Sequence, residues 1–294
     1  MIQWQISLSD NMIIVMTMVE PHAQETAQEN TSTKKLPVRW MLAIAFLVVI
    51  VPWLIYTPAG ITGKMDAIGY AICHQIPERS FQINGQPVSL CARCTGMYVG
   101  IFVGIAYQLL LARRRSEWPD KYKLAVFVVF FLAFAVDGSN SAAKLFFGRG
   151  PLYEPTNVLR LITGTGMGLT MAAMVLPAFN QTIWKKYDPQ PYFVTRGQFG
   201  GYLLTGAVGA VLILTEAQFF LRLFTYVGVI GVVVILTMLY AMIIMTIFGK
   251  ENTVMKPMDT IIWLLAGMIV AFLHIGAIDM ARFMLTGTWE GFHF

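Results

Sequence analysis

All three cysteines of the chain lie in one short stretch, from Cys73 to Cys94. Cys91 and Cys94 form a C-x-x-C pair at the predicted start of a helix, where free amides and the helix dipole favour thiolates. His74 directly follows Cys73, and the polar, turn-rich residues 75–90 can fold back and bring Cys73 to the pair. Together these four side chains form a candidate Cys3His set, which is the ligand count of a tetrahedral zinc site.

Three chemistries compete for these residues. If His74 points away, the fourth zinc position is open and the site is catalytic in type. Alternatively, Cys91 and Cys94 form a redox pair that exchanges with Cys73 and passes electrons to a quinone. A plain disulfide would leave one of the cysteines unpaired. We favour metal binding, with zinc as the expected cofactor.

The composition predicts the setting of this site. Of 294 residues, 56% are hydrophobic and 13% charged, and the mean hydropathy is +0.63, which is typical of a polytopic membrane protein. The expected fold is an all-α bundle of about seven transmembrane helices. The net charge of +5 does not indicate nucleic-acid binding, because the basic residues lie in short loops between apolar segments. The expected partners are the lipid bilayer, a lipid-linked or anionic small molecule, and, as an open question, further copies of the chain.

Residues 1–36 are predicted to form a disordered cytoplasmic tail, and residues 37–294 a membrane domain with additional helices in 200–285. A crossing takes about 20 apolar residues. The predicted spans are Trp40 to Tyr56, Thr95 to Ala112, Leu124 to Phe147, Thr156 to Leu176, Gly200 to Thr215, Thr225 to Phe248 and Asp259 to Leu285. The segment Ala67 to Ile72 is too short to cross and is predicted to lie at the interface or to re-enter.

Basic residues predict the orientation. Thirteen of the 21 Lys and Arg residues fall on the N-terminal side of the predicted membrane, including the cluster Arg113 to Arg115. The positive-inside rule therefore predicts a cytoplasmic N-terminus, with the C-terminus and the cysteine loop outside.

Glycines predict where helices approach closely. Gly96, Gly100 and Gly104 recur every fourth residue and line one helix face. The run TGTGMG, which ends at Gly168, resembles phosphate-loop spacing, but it lies inside an apolar helix with no strand before it. We interpret it as a helix-packing surface.

Ionisable residues inside the spans are functional candidates, because a charge near the bilayer centre costs about 2.5 to 3.5 kcal/mol even on insertion scales. Asp137 and Arg160 either form a structural ion pair, with each other or with Lys144, or contact a substrate. Asp279 and Arg282 are predicted to form a local pair. Two further residues have modest interpretations: His274 as a hydrogen-bonded interior residue and Glu216 as an ordinary loop residue.

From about Met65 to Gly168 the chain resembles a family of prokaryotic multi-spanning membrane proteins known as domain of unknown function 2085. The resemblance is carried by CHQIPERSF, CARCTGMYVG, Asp137 and TNVLRLITGTGMG. It implies a defining group of polar residues but supplies no activity. The group comprises Cys73, His74, Arg79, Cys91, Arg93, Cys94, Asp137, Asn157 and Arg160.

The leading functional hypothesis is a membrane-embedded, zinc-dependent enzyme that acts on a lipid-linked or anionic substrate. Cys73, His74, Cys91 and Cys94 would hold the metal, and His74 or Asp137 would move a proton. The expected substrate-binding residues are Arg79, Arg93, Asn157 and Arg160. The alternatives are a membrane thiol-disulfide oxidoreductase and a transporter or binding protein with a structural zinc.

Overall fold

The computed structural model describes residues 38–291, and the predicted N-terminal tail lies outside this range. Within it the chain folds into eight α-helices, of which seven are long and apolar enough to cross a membrane. The predicted all-α membrane bundle is confirmed. The helices are α1 Val38–Tyr56, α2 Gly60–Ile72, α3 Ala92–Leu111, α4 Lys121–Phe147, α5 Asn157–Ile183, α6 Arg196–Leu214, α7 Gln218–Ile247 and α8 Pro257–Thr286.

The seven predicted spans correspond to α1 and α3 to α8, with differences at their ends. The predicted end of α5 before Pro177 is wrong, because the helix continues to Ile183. Proline is tolerated inside membrane helices when neighbouring groups satisfy the freed backbone, and Phe179 and Ile183 extend the buried face. The earlier start of α6 follows from a capping box between Thr195 and Gln198.

Helix α2 and the segment after it form the cap that carries Cys73. The helix has 13 residues, too few to cross a bilayer, and its last turns from Ala67 to Ala71 are buried. A 3-10 turn, Pro77–Arg79, leads into a hairpin of β1 Gln82–Ile83 and β2 Gln86–Pro87. Asn84 and Gly85 both have positive φ, as a tight hairpin turn requires. The chain thus returns towards Cys91, as the sequence predicted.

Helices α3 and α5 pack closely through their glycines. A methyl group on Gly96 would overlap the carbonyl oxygen of Leu161, and one on Gly168 would overlap that of Met97. Gly164 likewise lies against the carbonyl of Arg93. The predicted packing role of both glycine runs is confirmed, and the contact fixes the first turn of α3 against the first turns of α5.

The end of the bundle that holds the cysteines is called here the cysteine end. At the opposite end, β3 Arg115–Glu117 pairs with β4 Asp188–Pro191, and the amide of Lys185 donates to the carbonyl of Val254 at 2.9 Å. Three loops rich in Lys and Arg therefore meet away from the cysteines. This arrangement agrees with the grouping of basic residues behind the predicted orientation, which stays a prediction.

Candidate metal centre

Three potential ligands converge at the cysteine end. The Sγ atoms of Cys73 and Cys91 and a ring nitrogen of His74 all lie within 4.8 Å of one another. His74 Nδ1 is 3.8 Å from Cys73 Sγ, so these adjacent residues face the same point. Cys94 stands outside this set of three, but its thiol is close enough to form hydrogen bonds with the other two. Cys73 and Cys91 are buried, whereas Cys94 is partly exposed.

Two backbone amides point at the sulfur of Cys73. The amide of Gln75 donates to Cys73 Sγ at 3.4 Å and that of Cys91 at 3.2 Å. Gln75 has a φ of 51°, a left-handed conformation that is uncommon outside glycine and that turns its amide back towards the sulfur. Its side chain holds this turn by donating to the carbonyls of Asp66 and Ser89, at 3.0 and 2.9 Å. The loop is therefore shaped around a sulfur that accepts hydrogen bonds.

The neighbouring thiols and the arginines shift the pKa values of Cys73, Cys91 and His74. A hydrogen bond with Cys91 raises the pKa of Cys73 to about 12, and the same bond lowers the pKa of Cys91 well below that of a free thiol. Burial lowers the pKa of His74. The positive charges of Arg79, Arg93 and Arg160 act in the same direction, and Cys91 opposes them. Of the Cys73 and Cys91 thiols, that of Cys91 therefore loses its proton first as the pH rises.

Arg282, near the end of α8, supports the segment that carries Cys73 and His74. Its Nη1 donates to the carbonyls of Tyr70 and Cys73, at 2.6 and 2.7 Å, and its Nη2 donates to the carbonyl of His74 at 3.3 Å. The guanidinium also stacks over the Tyr70 ring, 3.9 Å from its centroid. These bonds satisfy carbonyls at the end of α2 and hold in place the backbone of Cys73 and His74, called here the ligand segment. The sequence placed Arg282 in a local pair with Asp279 and did not predict this role.

The ion-pair partner of Asp137 is Arg93, not Arg160 or Lys144, so the predicted structural pair is wrong. Lys144 pairs with Glu154 instead. Arg93 Nε donates to Asp137 Oδ2 at 3.0 Å, and Nη2 also contacts this carboxylate. Tyr153 Oη donates to the other oxygen at 3.0 Å. The Asp137 side chain is 1% exposed and that of Arg93 16%. Arg93 lies in the first turn of α3, next to Cys94 in the sequence, and from there it also donates to the carbonyl of Asp137 and to Ser141 Oγ of α4, at 3.0 and 2.8 Å.

Arg79 and Arg160 complete a cluster of three arginines, the arginine cluster. Arg79 Nη2 donates to the carbonyl of Ser141 at 3.1 Å, and Arg160 Nη1 donates to Asn157 Oδ1 at 2.8 Å. Arg160 is 6% exposed, and its Nε has no hydrogen-bond partner among the described residues. Every polar residue of the family-like group therefore lies in one contiguous region.

Three of the ionisable candidates lie elsewhere. His274 accepts or donates a hydrogen bond of 2.7 Å with Tyr240 Oη, as expected of an interior histidine. Asp279 Oδ2 accepts from Trp53 Nε1 at 2.9 Å, a contact between α8 and α1. Glu216 has a φ of 52° in the exposed turn between α6 and α7, which agrees with its interpretation as a loop residue.

The comparison with known proteins places this region in a family. The family described as "Predicted membrane protein (DUF2085)" matches residues 73–174. An uncharacterized protein of Methanocaldococcus jannaschii is 37% identical over 122 residues, which are 41% of this chain and 72% of that protein. This chain belongs to the DUF2085 family. An uncharacterized protein of Methanothermobacter thermautotrophicus is 35% identical over 107 residues, 36% of this chain and 86% of that protein. No solved structure matches the chain.

The DUF2085 match begins at Cys73 and ends in α5, so it contains the candidate ligands and the arginine cluster. Arg282 lies outside it. The aligned stretch is a larger share of each relative than of this chain, so both relatives are shorter. In this chain, Arg282 therefore holds the backbone of Cys73 and His74 from a helix outside the family match.

Proposed function

We propose that this DUF2085 protein binds zinc through Cys73, His74 and Cys91, as the centre of a membrane-embedded enzyme for an anionic or lipid-linked substrate. The observation that carries the proposal is the convergence of three ligand atoms within 4.8 Å of one another. Two cysteines and one histidine, with a fourth position left for water or substrate, form one of the established ligand sets of catalytic zinc.

The surroundings of the ligands also fit a metal. Two amides donate to Cys73 Sγ, as neighbouring donors do to a metal-bound sulfur, and metal binding would displace the proton of this thiol. The carbonyl of His74 is fixed by Arg282, so the direction in which the imidazole leaves the chain is constrained. Cys94 lies next to the three ligands, close enough for its thiol to form hydrogen bonds with Cys73 and Cys91. It is the residue that decides between a closed structural site and an open one.

The arginine cluster supports binding of an anion. Arg79, Arg93 and Arg160 all lie close enough for their charges to act on His74, while Asp137 balances only Arg93 directly. Arg160 Nε still lacks an acceptor among the described residues. Planar guanidinium groups bind phosphate and carboxylate through paired hydrogen bonds. A phosphate-bearing or carboxylate-bearing substrate placed here would lie beside the ligand set.

In this mechanism the residues of the chain have distinct tasks. Zinc, when bound, would supply a Lewis acid that lowers the pKa of water or polarises an oxygen of the substrate. Arg160 and Arg79 would orient the anion, with Asn157 holding the Arg160 side chain in place. Asp137 is engaged by Arg93 and Tyr153, so it serves best to position Arg93. If His74 holds the metal, it is not free to act as a general base, so the predicted proton-transfer role of His74 has no part in this mechanism.

The first test is the metal content of the full chain, purified without chelator and measured by inductively coupled plasma mass spectrometry. We expect close to one zinc per chain, and Cys73 and Cys91 thiols that react with an alkylating reagent only after the metal is removed. His74→Ala should lose most of the zinc, whereas Cys94→Ser should retain it. Loss of zinc in Cys94→Ser would instead indicate a closed Cys3His site and a structural metal. Metal-free protein with reactive thiols would refute the proposal.

The second test concerns the anion. Arg160→Gln is expected to weaken binding of inorganic phosphate by about tenfold or more, since a hydrogen bond to a charged group contributes about 1.5 to 3 kcal/mol. Isothermal titration of the zinc-loaded protein measures this. The matched control is Arg149→Gln, an exposed arginine of the same end whose loss should leave the affinity unchanged. Equal effects of both variants would show that only general positive charge matters.

A thiol-disulfide oxidoreductase is the second candidate, and one observation favours it. The hydrogen bond with Cys73 lowers the pKa of Cys91, and Cys94, its C-x-x-C partner, is partly exposed. Such a pair would cycle between dithiol and disulfide while a quinone accepts the two electrons and two protons. Zinc bound through thiolates excludes a Cys91–Cys94 disulfide, so the state of the cysteines in the purified protein decides between the two functions.

A further inference from the structure

A cavity at the cysteine end, separate from the candidate metal centre, has no part in the proposed metal chemistry. It has a volume of about 400 Å³ and lies between α2, the β1–β2 hairpin and the first turns of α7. Its wall includes the charged residues Asp66 and Arg222 together with polar groups of the hairpin and of Ser89. One acid and one base line it, and no other charged residue does. A cavity with this balance suits a ligand that carries one positive and one negative group.

Below this polar cavity runs an apolar groove of about 340 Å³ between the same two helices. Met65 lines both spaces, so they adjoin. The α7 residues that line them follow one helix face at spacings of three and four residues. In the polar cavity these are Arg222, Thr225 and Tyr226, and in the groove Val229, Ile230, Val233 and Val234. The two spaces therefore form one channel that changes from polar to apolar along α7.

The charged groups differ in whether they are free to bind a ligand. Lys64, which lines the groove, is engaged, because its Nζ donates to the carbonyl and the hydroxyl of Thr57, both at 2.9 Å. Asp66 Oδ1 accepts from Ser89 Oγ at 2.5 Å, and its other oxygen has no donor among the described residues. Arg222 is exposed and forms no ion pair with a described residue. Asp66 and Arg222 thus remain available.

We propose that this channel is a binding site for one zwitterionic aminophospholipid. Arg222 binds the phosphate, the carboxylate of Asp66 accepts hydrogen bonds from the primary ammonium, and one acyl chain lies in the groove beside Val233. Phosphatidylglycerol, an anionic phospholipid without an amine, offers Asp66 no cation. A choline headgroup has no N–H to donate, so it satisfies Arg222 alone. The site does not depend on zinc or on the arginine cluster.

The test uses the full chain in mild detergent and native mass spectrometry, with dioleoyl phosphatidylethanolamine, phosphatidylglycerol and phosphatidylcholine as probes. The wild type should bind one phosphatidylethanolamine with about tenfold preference over the other two, the ratio expected for one added charge-assisted hydrogen bond. Asp66→Asn should abolish this preference while leaving general lipid binding intact. Arg222→Gln should weaken all three lipids, and its matched control Arg149→Gln should weaken none.

The apolar half of the site has its own variant. Val233→Trp fills the groove and should lower occupancy by every lipid, whereas Val211→Trp, on an outward face of α6, should not. Unsaturable binding without headgroup preference in the wild type would mean annular lipid only and would overturn the proposal. So would an unchanged preference in Asp66→Asn. If gel filtration shows that Asp66→Asn does not fold, the Arg222→Gln variant tests the proposal instead, because Arg222 is exposed.

Discussion

Replacing Cys91 by serine is expected to abolish zinc binding and to lower the thermal stability of the cysteine end by more than any other single change proposed above. Cys91 Sγ belongs to the set of three convergent ligand atoms, and the residue also begins α3. In zinc-finger peptides, metal binding contributes about 10 to 16 kcal/mol at neutral pH. Because the rest of this bundle packs without the metal, Cys91→Ser should lose only the part of this free energy that orders residues 73–90.

The measurement is thermal unfolding in detergent, with and without a chelator. The chelator should lower the unfolding temperature of the wild type to that of Cys91→Ser and should leave the variant itself unchanged. The variant is thus its own control, since any effect of the chelator on it would be unrelated to this site. If the wild type were insensitive to chelation, the loop would owe its order to the Gln75 and Arg282 hydrogen bonds alone.

Asp137→Ala is expected to be the second most damaging change. It leaves Arg93 largely buried with no carboxylate, and breaking a buried pair in this way costs about 3 to 5 kcal/mol. It also removes the acceptor of the Tyr153 hydroxyl. We expect a clear fall in the unfolding temperature together with weakened phosphate binding, because Arg93 can then leave its position beside Cys94.

Two comparisons make this prediction specific. Glu154→Ala breaks the exposed pair with Lys144, which should contribute no more than about 1 kcal/mol. The double variant Arg93→Met, Asp137→Leu removes both charges and should recover much of the stability, since a buried pair often contributes little over apolar packing. It should not recover phosphate binding. Equal stability of Asp137→Ala and Glu154→Ala would show that the buried pair contributes little.

Much of the architecture followed from the sequence, because helix spans and glycine spacing are properties of single segments. The seven spans and the packing face at Gly96 and Gly168 needed only local periodicity. The return of Cys73 to the C-x-x-C pair was also predictable, since the turn at Asn84 and Gly85 is encoded by local turn chemistry.

The partners of the charged residues could not be predicted in the same way. Asp137 had candidate cations on two helices, and the choice of Arg93 depends on how far α3 is rotated against α4. Arg282 was assigned to the neighbouring Asp279, although its hydrogen bonds go to carbonyls more than 200 residues earlier in the chain. Backbone carbonyls leave no mark in a sequence, so this contact had no detectable signal.

The support of Cys73 and His74 by Arg282 has a consequence for the order in which the protein is made. The ligand segment is synthesised before six of the membrane-spanning helices, and the arginine that holds it belongs to the last of them. The nascent loop therefore waits through most of translation without its support. Until α8 is inserted, the backbone of Cys73 and His74 lacks the hydrogen bonds that Arg282 gives it. If the loop binds zinc as proposed, the centre would be completed only after α8 has been inserted.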